Sequence, residues 1–93
     1  MTWTVTTQAL TKSYKFQDFK QAWFFMNQVA IKANEMNHHP EWCNVYNKVD
    51  IRLTTHDKEN TVQKQDHILA RHIDDVFMKI IKKIIVVQVQ TKL

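Results

Sequence analysis

Ninety-three residues, 44% hydrophobic and 24% charged, make a single domain spanning 1–93 with a thin core, because a chain this short buries only about 60–65% of its unfolded surface. The net charge of +4 tolerates an anionic partner, but the lysines are dispersed rather than gathered into a basic stripe, so direct nucleic-acid binding is not expected. The chain has no glycine, which excludes glycine-rich phosphate loops and dinucleotide fingerprints, and no apolar run approaches the roughly 20 residues of a membrane span.

In chain order, Trp3 and Val5, then Tyr14-Lys15-Phe16, read as two short strands separated by a Thr/Ser/Lys turn region. From about Asp18 to Asn37 the period becomes helical. Phe19, Ala22, Trp23, Met26, Val29, Ala30, Ala33 and Met36 recur at spacings of three and four, leaving Phe24 and Ile31 off the stripe. Asp18 suits the N-terminal cap, and Pro40 disfavours helical geometry at His39, so the helix should end near Asn37. From Cys43 to Thr55 the period is two, with Val45, Asn47, Val49, Ile51 and Leu53 on one face. This is one long antiparallel strand, or two that share a bend near Asn47.

Residues 57–65 read as a polar loop. A second helix follows, its stripe formed by Ile68, Leu69, Ile73, Val76, Phe77, Ile80, Ile81 and Ile84. Residues 85–93 are β-branched and polar, and extension, fraying and pairing with another chain all remain open for them. Strand, strand, helix, strand(s), helix is the order of an α+β fold, with two main helices packed on one face of a small antiparallel sheet of about four strands. The other sheet face needs cover, which together with Phe24 and Ile31 suggests self-association. The single cysteine, Cys43, fits a reducing compartment, and the N-terminus lacks the pattern of a secretory signal, so a soluble intracellular protein is expected.

Three of the five histidines fall in two short stretches, Glu35-Met36-Asn37-His38-His39-Pro40-Glu41-Trp42 and Thr54-Thr55-His56-Asp57. Imidazole both gives and takes protons near neutral pH, so these stretches point to acid–base chemistry on a small molecule. Adjacent histidines point to opposite sides of an extended chain unless the backbone turns, and Pro40 makes such a turn reproducible. The ordinary alternative is a pair of exposed loop histidines. Trp42 supplies a flat wall suited to a planar heterocycle, or is simply a core residue at a sheet end. Asp57 beside His56 can hold its tautomer, against the alternative of a solvated turn histidine. Glu35, one helical turn earlier, orients one of the paired histidines, acts as a second acid, or is merely solvated.

His67 and His72 lie five apart on the second helix, a spacing that does not share a face, and read as surface or partly buried residues. Zinc would need His38, His39, His56 and Cys43 to converge. Without Cys-x-x-Cys or His-Glu-x-x-His a metal site is disfavoured. Cys43 reads as a small core residue rather than a nucleophile.

Asn37-His38-His39-Pro40-Glu41-Trp42, Asn44-Val45-Tyr46-Asn47-Lys48-Val49 and Leu53-Thr54-Thr55-His56 together resemble the signature of the pterin-4a-carbinolamine dehydratases, also known as the dimerization cofactor of a homeodomain transcription factor. The likeness reaches back through Phe16-Gln17-Asp18-Phe19 to Trp3 and forward to Asp66, Leu69, Ala70 and Ile73. It departs at Asn60-Thr61-Val62, where a Gly-Leu pair is usual and the loop here is one residue longer.

The resemblance implies an α+β fold with a four-stranded antiparallel sheet and a homodimer or homotetramer. It also implies dehydration of 4a-hydroxytetrahydrobiopterin to quinonoid dihydrobiopterin, recycling the pterin, with no metal or organic cofactor. The location implied is cytoplasmic, extending to the nucleus. Carried over residue by residue, His38, His39, His56 and Glu35 are the catalytic candidates, and His38, His39, Pro40, Thr55, His56, Asp57 and Lys58 the substrate contacts, with Trp42 added as a pocket wall. In this scheme the three histidines form the acid–base set, Glu35 and Asp57 orient them, and Pro40 and Trp42 shape the pocket. A partner-binding module without catalysis and a metal-dependent hydrolase using the same histidines are the rival classes.

Overall fold

Without glycine, the sharp turns of this chain fall on Asn and on a few residues held at positive φ. These turns separate β1 (Thr4–Val5), β2 (Leu10–Lys15), α1 (Phe19–Met36), β3 (Glu41–Val45), β4 (Lys48–Leu53), a short 3₁₀ turn (His56–Lys58) and α2 (Lys64–Thr91). The structure is a computed structural model describing residues 2–91, with side chains described as far as residue 82. The backbone of α2 is helical to Thr91. The question of how residues 85–93 pack, and the apolar role expected of Ile84, fall on side chains outside the described residues.

The sheet is antiparallel throughout, in the order β1-β2-β4-β3. Of the two readings open for residues 43–55, the second is realised: a hairpin turns at Tyr46 and Asn47, and Tyr46 takes φ 51°. Asn44 Nδ2 donates to the carbonyls of Tyr46 (3.1 Å) and Lys48 (2.9 Å) across that turn. Asn47 Nδ2 donates to the Phe16 carbonyl at 3.0 Å, tying the hairpin to the end of β2.

Register places Leu10 opposite Leu53, and Tyr14 opposite Val49. These four are buried with Ile51 under the helices. From α1 come Ala22, Phe25, Val29 and Ala33, and from α2 Leu69, Ala70, Ile73, Val76 and Ile80. The α1 stripe differs from the sequence expectation. Phe25 is fully buried, with its ring centroid 4.9 Å from Phe16 and 5.0 Å from Tyr14, while Phe19, Trp23 and Ala30 are exposed. The helix is apolar on two sides, and spacing alone cannot rank them. Burying a side chain like Phe25 stabilises by about 1.5–3 kcal/mol, which half-exposed Trp23 cannot match. Trp23 instead stacks on Phe19 at 6.1 Å on the surface.

Cys43 is exposed, against the expectation of a core cysteine. In β3 the alternate residues Glu41, Cys43 and Val45 face away from the helices. That outer sheet face carries polar pairs beside Cys43 and Val45. Ser13 hydrogen-bonds Asp50, and Arg52 Nη1 pairs with Glu41 Oε2 at 2.8 Å. Among the described residues, exposed apolar side chains include Phe19, Trp23, Phe24 and Ile31 on α1, with Val5 and Val45 on the strands, Tyr46 at the hairpin turn, and Ile68 and Met78 on α2.

Asp74 of α2 fastens the first strands to the helix. It accepts hydrogen bonds from Trp3 Nε1 (3.0 Å), Lys12 Nζ (2.7 Å) and the Tyr14 hydroxyl. Burial, with the neighbouring carboxylate, pushes the Tyr14 phenol well above its ordinary value. Burial alone would raise Asp74, but the bonds from Lys12, Tyr14 and Trp3 outweigh it and hold the carboxyl below the usual range. Its stabilisation is therefore complete above the ordinary carboxylate pKa of about 3.9 and is lost as pH falls from there toward the depressed native value. The Asp74 side chain is 38% exposed, so solvent screening limits the effect. Thermal melts between pH 5 and pH 2.5 should show Asp74→Asn with a shallower acid loss than wild type. Parallel curves would remove Asp74 from that account.

Candidate functional site

The end of α1 delivers the first histidine. Asn37 adopts the left-handed conformation (φ 51°, ψ 42°) and its N–H bonds the Asn34 carbonyl at 3.1 Å. The His38 N–H returns to Ala33 O at 3.0 Å, which completes a Schellman closure of the helix. Asn is the residue other than glycine that best tolerates this geometry. At the other end Asp18 Oδ1 accepts from Gln21 N (2.9 Å) as the expected cap.

The closure turns His38 inward, to 8% exposure, where its Nε2 lies 2.5 Å from Asp66 Oδ1. Asp66, in the first turn of α2, is fully buried. Its second oxygen accepts from Thr55 Oγ1 (2.7 Å) and Gln63 N (2.8 Å). Gln65 Nε2 in turn donates to Thr55 Oγ1 at 3.1 Å. A buried carboxylate is tolerable only when its oxygens are satisfied in this way, and the N-terminus of a helix favours its charge. With Nε2–H given to Asp66, the neutral His38 ring keeps its lone pair on Nδ1.

His56 follows β4 at the start of the 3₁₀ turn and is exposed. Its Nδ1 lies 2.8 Å from Asn60 Oδ1 and its Nε2 3.6 Å from Glu41 Oε1. His39 is exposed on the segment leading into β3. All three imidazoles line one open cleft of about 630 Å³, together with Met36, Asn37, Pro40, Glu41, Thr55, Asp57 and Gln65. Two histidines from the α1–β3 connection thus share this cleft with a third that follows β4. His39 and Pro40 also line an adjoining hollow of about 520 Å³ against Ala30, Ile31 and Trp42.

Pro40, Thr55 and Asp57 of the expected set also line this cleft, while Glu35, Trp42 and Lys58 lie outside it. Glu35 is exposed on α1 and makes no hydrogen bond or ion pair among the described residues, so the carboxylate on a paired histidine is Asp66 and not Glu35. The charge of Glu35 is felt at His72, which burial and Lys32 hold below its ordinary value while Asp75 and Glu35 pull it up. Asp57 lines the cleft, but the group bonded to His56 Nδ1 is Asn60. Trp42 is partly buried against the core and lines the adjoining hollow and the sheet face rather than the histidine cleft. Lys58 is exposed outside the cleft lining, its carbonyl accepting from Thr61 Oγ1 at 2.6 Å.

Sequence reasoning did not place Asp66, Gln65, Glu41 or Asn60 in the site. For Asp66 the one cue was its position at the forward end of the family resemblance. Among the described residues, no group of three or more His, Cys, Asp or Glu side chains is arranged to hold a metal ion. Likewise no helix is long and apolar enough to cross a membrane.

A family model for pterin 4 alpha carbinolamine dehydratase matches residues 1–76. A Burkholderia pseudomallei protein that carries the provisional name pterin-4-alpha-carbinolamine dehydratase is 56% identical over 68 residues, covering 73% of this chain and 66% of its own length. A Burkholderia orbicola protein with the same provisional name is 53% identical over 74 residues, 77% of this chain and 72% of its own. The chain thus spans about two thirds of the length of these curated relatives, just under it for the first. Among solved structures, a transcriptional coactivator/pterin dehydratase from Brucella melitensis superposes with a TM-score of 0.75 at 43% identity, over 80% of each chain.

Proposed function

Since the chain belongs to the pterin 4 alpha carbinolamine dehydratase family, we propose that its histidine cleft removes water from a pterin-4a-carbinolamine. The substrate carries a hydroxyl on tetrahedral C4a and a hydrogen on the adjacent ring nitrogen. An acid in the cleft protonates the departing hydroxyl as the C–O bond breaks. A base takes the nitrogen proton, whose electron pair forms the new C=N bond. The products are water and the quinonoid dihydropterin, a step that returns oxidised pterin toward the tetrahydro form. His38, His39 and His56 are the acid–base set, Asp66 orients His38, and Pro40 and Thr55 shape the cleft. The convergence of His38, His39 and His56 on one open cleft carries this reading. One ring is buried on a carboxylate and two are exposed, so the three offer the substrate differently held nitrogens.

The test is direct. Synthetic 4a-carbinolamine should lose water faster with the protein present, followed by absorbance, and a strong chelator should leave that rate unchanged. A rate equal to the spontaneous one would sink the enzymatic reading and favour a partner-binding module.

Self-association belongs to the same reading. Phe24 and Ile31 are each more than half exposed on α1, beside the stacked Phe19 and Trp23. Exposed large apolar side chains clustered on one helix point to a contact between proteins, and we assign them to a homodimer or homotetramer. Sedimentation equilibrium should give a mass of two or four chains, and Phe24→Glu with Ile31→Glu should reduce it to one. A wild-type monomer at micromolar concentration would contradict the assignment.

A further inference from the structure

We propose that Asn60 and Glu41 are positioning residues that lock the His56 ring so that it exchanges its proton with substrate through Nε2 alone. The proposal rests on the reading of His56 as a member of the acid–base set.

The His56 side chain is 64% exposed, so packing does not orient it. Polar partners do. An amide oxygen only accepts, so Asn60 Oδ1, at 2.8 Å, requires that Nδ1 carry a hydrogen. Nε2 is then the nitrogen whose hydrogen comes and goes: in the neutral ring it bears the lone pair, and when it carries a hydrogen Glu41 Oε1, at 3.6 Å, faces it as an acceptor. Glu41 is itself held. Its other oxygen receives Arg52 Nη1 at 2.8 Å across the β3–β4 register pair, leaving Oε1 for the ring. Asn60 Oδ1 thus anchors one ring nitrogen, while the other faces an oxygen of the cleft lining.

The loop is built to present this amide. Glu59 and Asn60 both take φ 56°, the left-handed region. Two consecutive non-glycine residues in that region cost free energy, and such strain tends to accumulate at functional sites. Hydrogen bonds flank the strained pair on both sides. Lys58 N donates to Thr55 O at 3.2 Å, and Thr55 N to Thr61 O at 3.0 Å. Thr61 Oγ1 closes back on Lys58 O at 2.6 Å. Other charged or titratable neighbours are Asp57, Lys58 and Glu59 in the same turn and His38 and His39 in the cleft. None of them bonds the His56 ring among the described residues.

The variant that isolates the side chain is Asn60→Gly, which keeps the left-handed backbone accessible and deletes the acceptor. Asn60→Asp restores an oxygen at the same place, and Glu41→Gln removes the charge facing Nε2. Ring ¹⁵N shifts of His56 read the tautomer independently of turnover. In wild type the neutral ring should be almost wholly Nδ1–H. Asn60→Gly should mix the tautomers and slow dehydration by about 2–10-fold, the worth of one hydrogen bond, with an unchanged circular-dichroism melt. Asn60→Asp should return both readouts to near wild type. Glu41→Gln should leave Nδ1–H in place and slow turnover.

An Nε2–H ring in wild type overturns the proposal, as does an unaltered tautomer in Asn60→Gly. Full turnover in His56→Ala would instead remove the catalytic reading of His56, while the tautomer shift would still report the hold of Asn60.

Discussion

Alanine at His56 or at His39 is expected to lower the dehydration rate by about 10²–10⁴-fold, the usual contribution of one positioned acid or base, with almost no change in thermal midpoint. The separation of the two readouts follows from exposure. Both rings are exposed, and among the described residues His56 meets Asn60 and Glu41 through polar atoms. Surface substitutions of this kind stay within about ±0.5 kcal/mol. His38→Ala behaves differently. That ring is 8% exposed and fills the space beside the Asp66 carboxylate, so its removal strands a buried oxygen and lowers stability together with rate. Turnover should be measured on synthetic carbinolamine and stability by thermal melts on the same preparations. If His39→Ala and His56→Ala each kept near-normal rates, the histidines would not form the acid–base set, and the cleft would be a binding surface only.

The local features of the site were legible in the sequence because short-range sterics and periodicity set them. Asp18 as cap, the helix end near Asn37 and the burial of Val49, Ile51 and Leu53 follow from residues within a turn or a strand of one another, whereas Val45 of the same expected face lies before the hairpin turn and is exposed. What escaped was either a choice between two equally periodic faces or a contact between distant segments. Phe25 lost to Trp23 on spacing because α1 is apolar on both sides, and only the position of the sheet decides between them. Cys43 fitted an apolar alternation, yet on β3 that parity faces solvent. Asp66 meets His38 across 28 residues and Thr55 across 11, and no local pattern encodes those pairings. Glu35 and Asp57 were chosen as partners because they are near in sequence. The structure gives those places to Asp66 and Asn60, which topology and a left-handed loop bring near in space. Of the residues lining the cleft, His38, His39, Pro40, His56 and Asp57 were singled out from their chemistry and position, and Thr55 as a contact came only with the family resemblance.

Asp66→Asn is expected to be the most damaging conservative change in the chain. The native carboxylate accepts from His38 Nε2 on one oxygen, and from Thr55 Oγ1 and Gln63 N on the other. An asparagine offers one oxygen and one NH₂ group. If the oxygen keeps Thr55 and Gln63, the NH₂ faces His38 Nε2, and the ring must give up its proton there and reverse its tautomer. If the oxygen faces His38, the NH₂ meets the Gln63 N–H, a donor without an acceptor. Either arrangement costs about 1–3 kcal/mol in a site with no exposure. For a domain of this length each 1 kcal/mol lowers the midpoint by about 4–8 °C. The variant should therefore melt well below wild type, yet remain folded at 20 °C against a typical total of about 5–15 kcal/mol. Its turnover should fall as well, because His38 would present a hydrogen on Nδ1 where the native neutral ring presents a lone pair. Asp66→Ala removes every acceptor at once and should cost about 3–5 kcal/mol, as breaking a buried pair does. An Asp66→Asn protein with the wild-type melt and the wild-type rate would show that the buried carboxylate neither holds His38 nor serves the reaction.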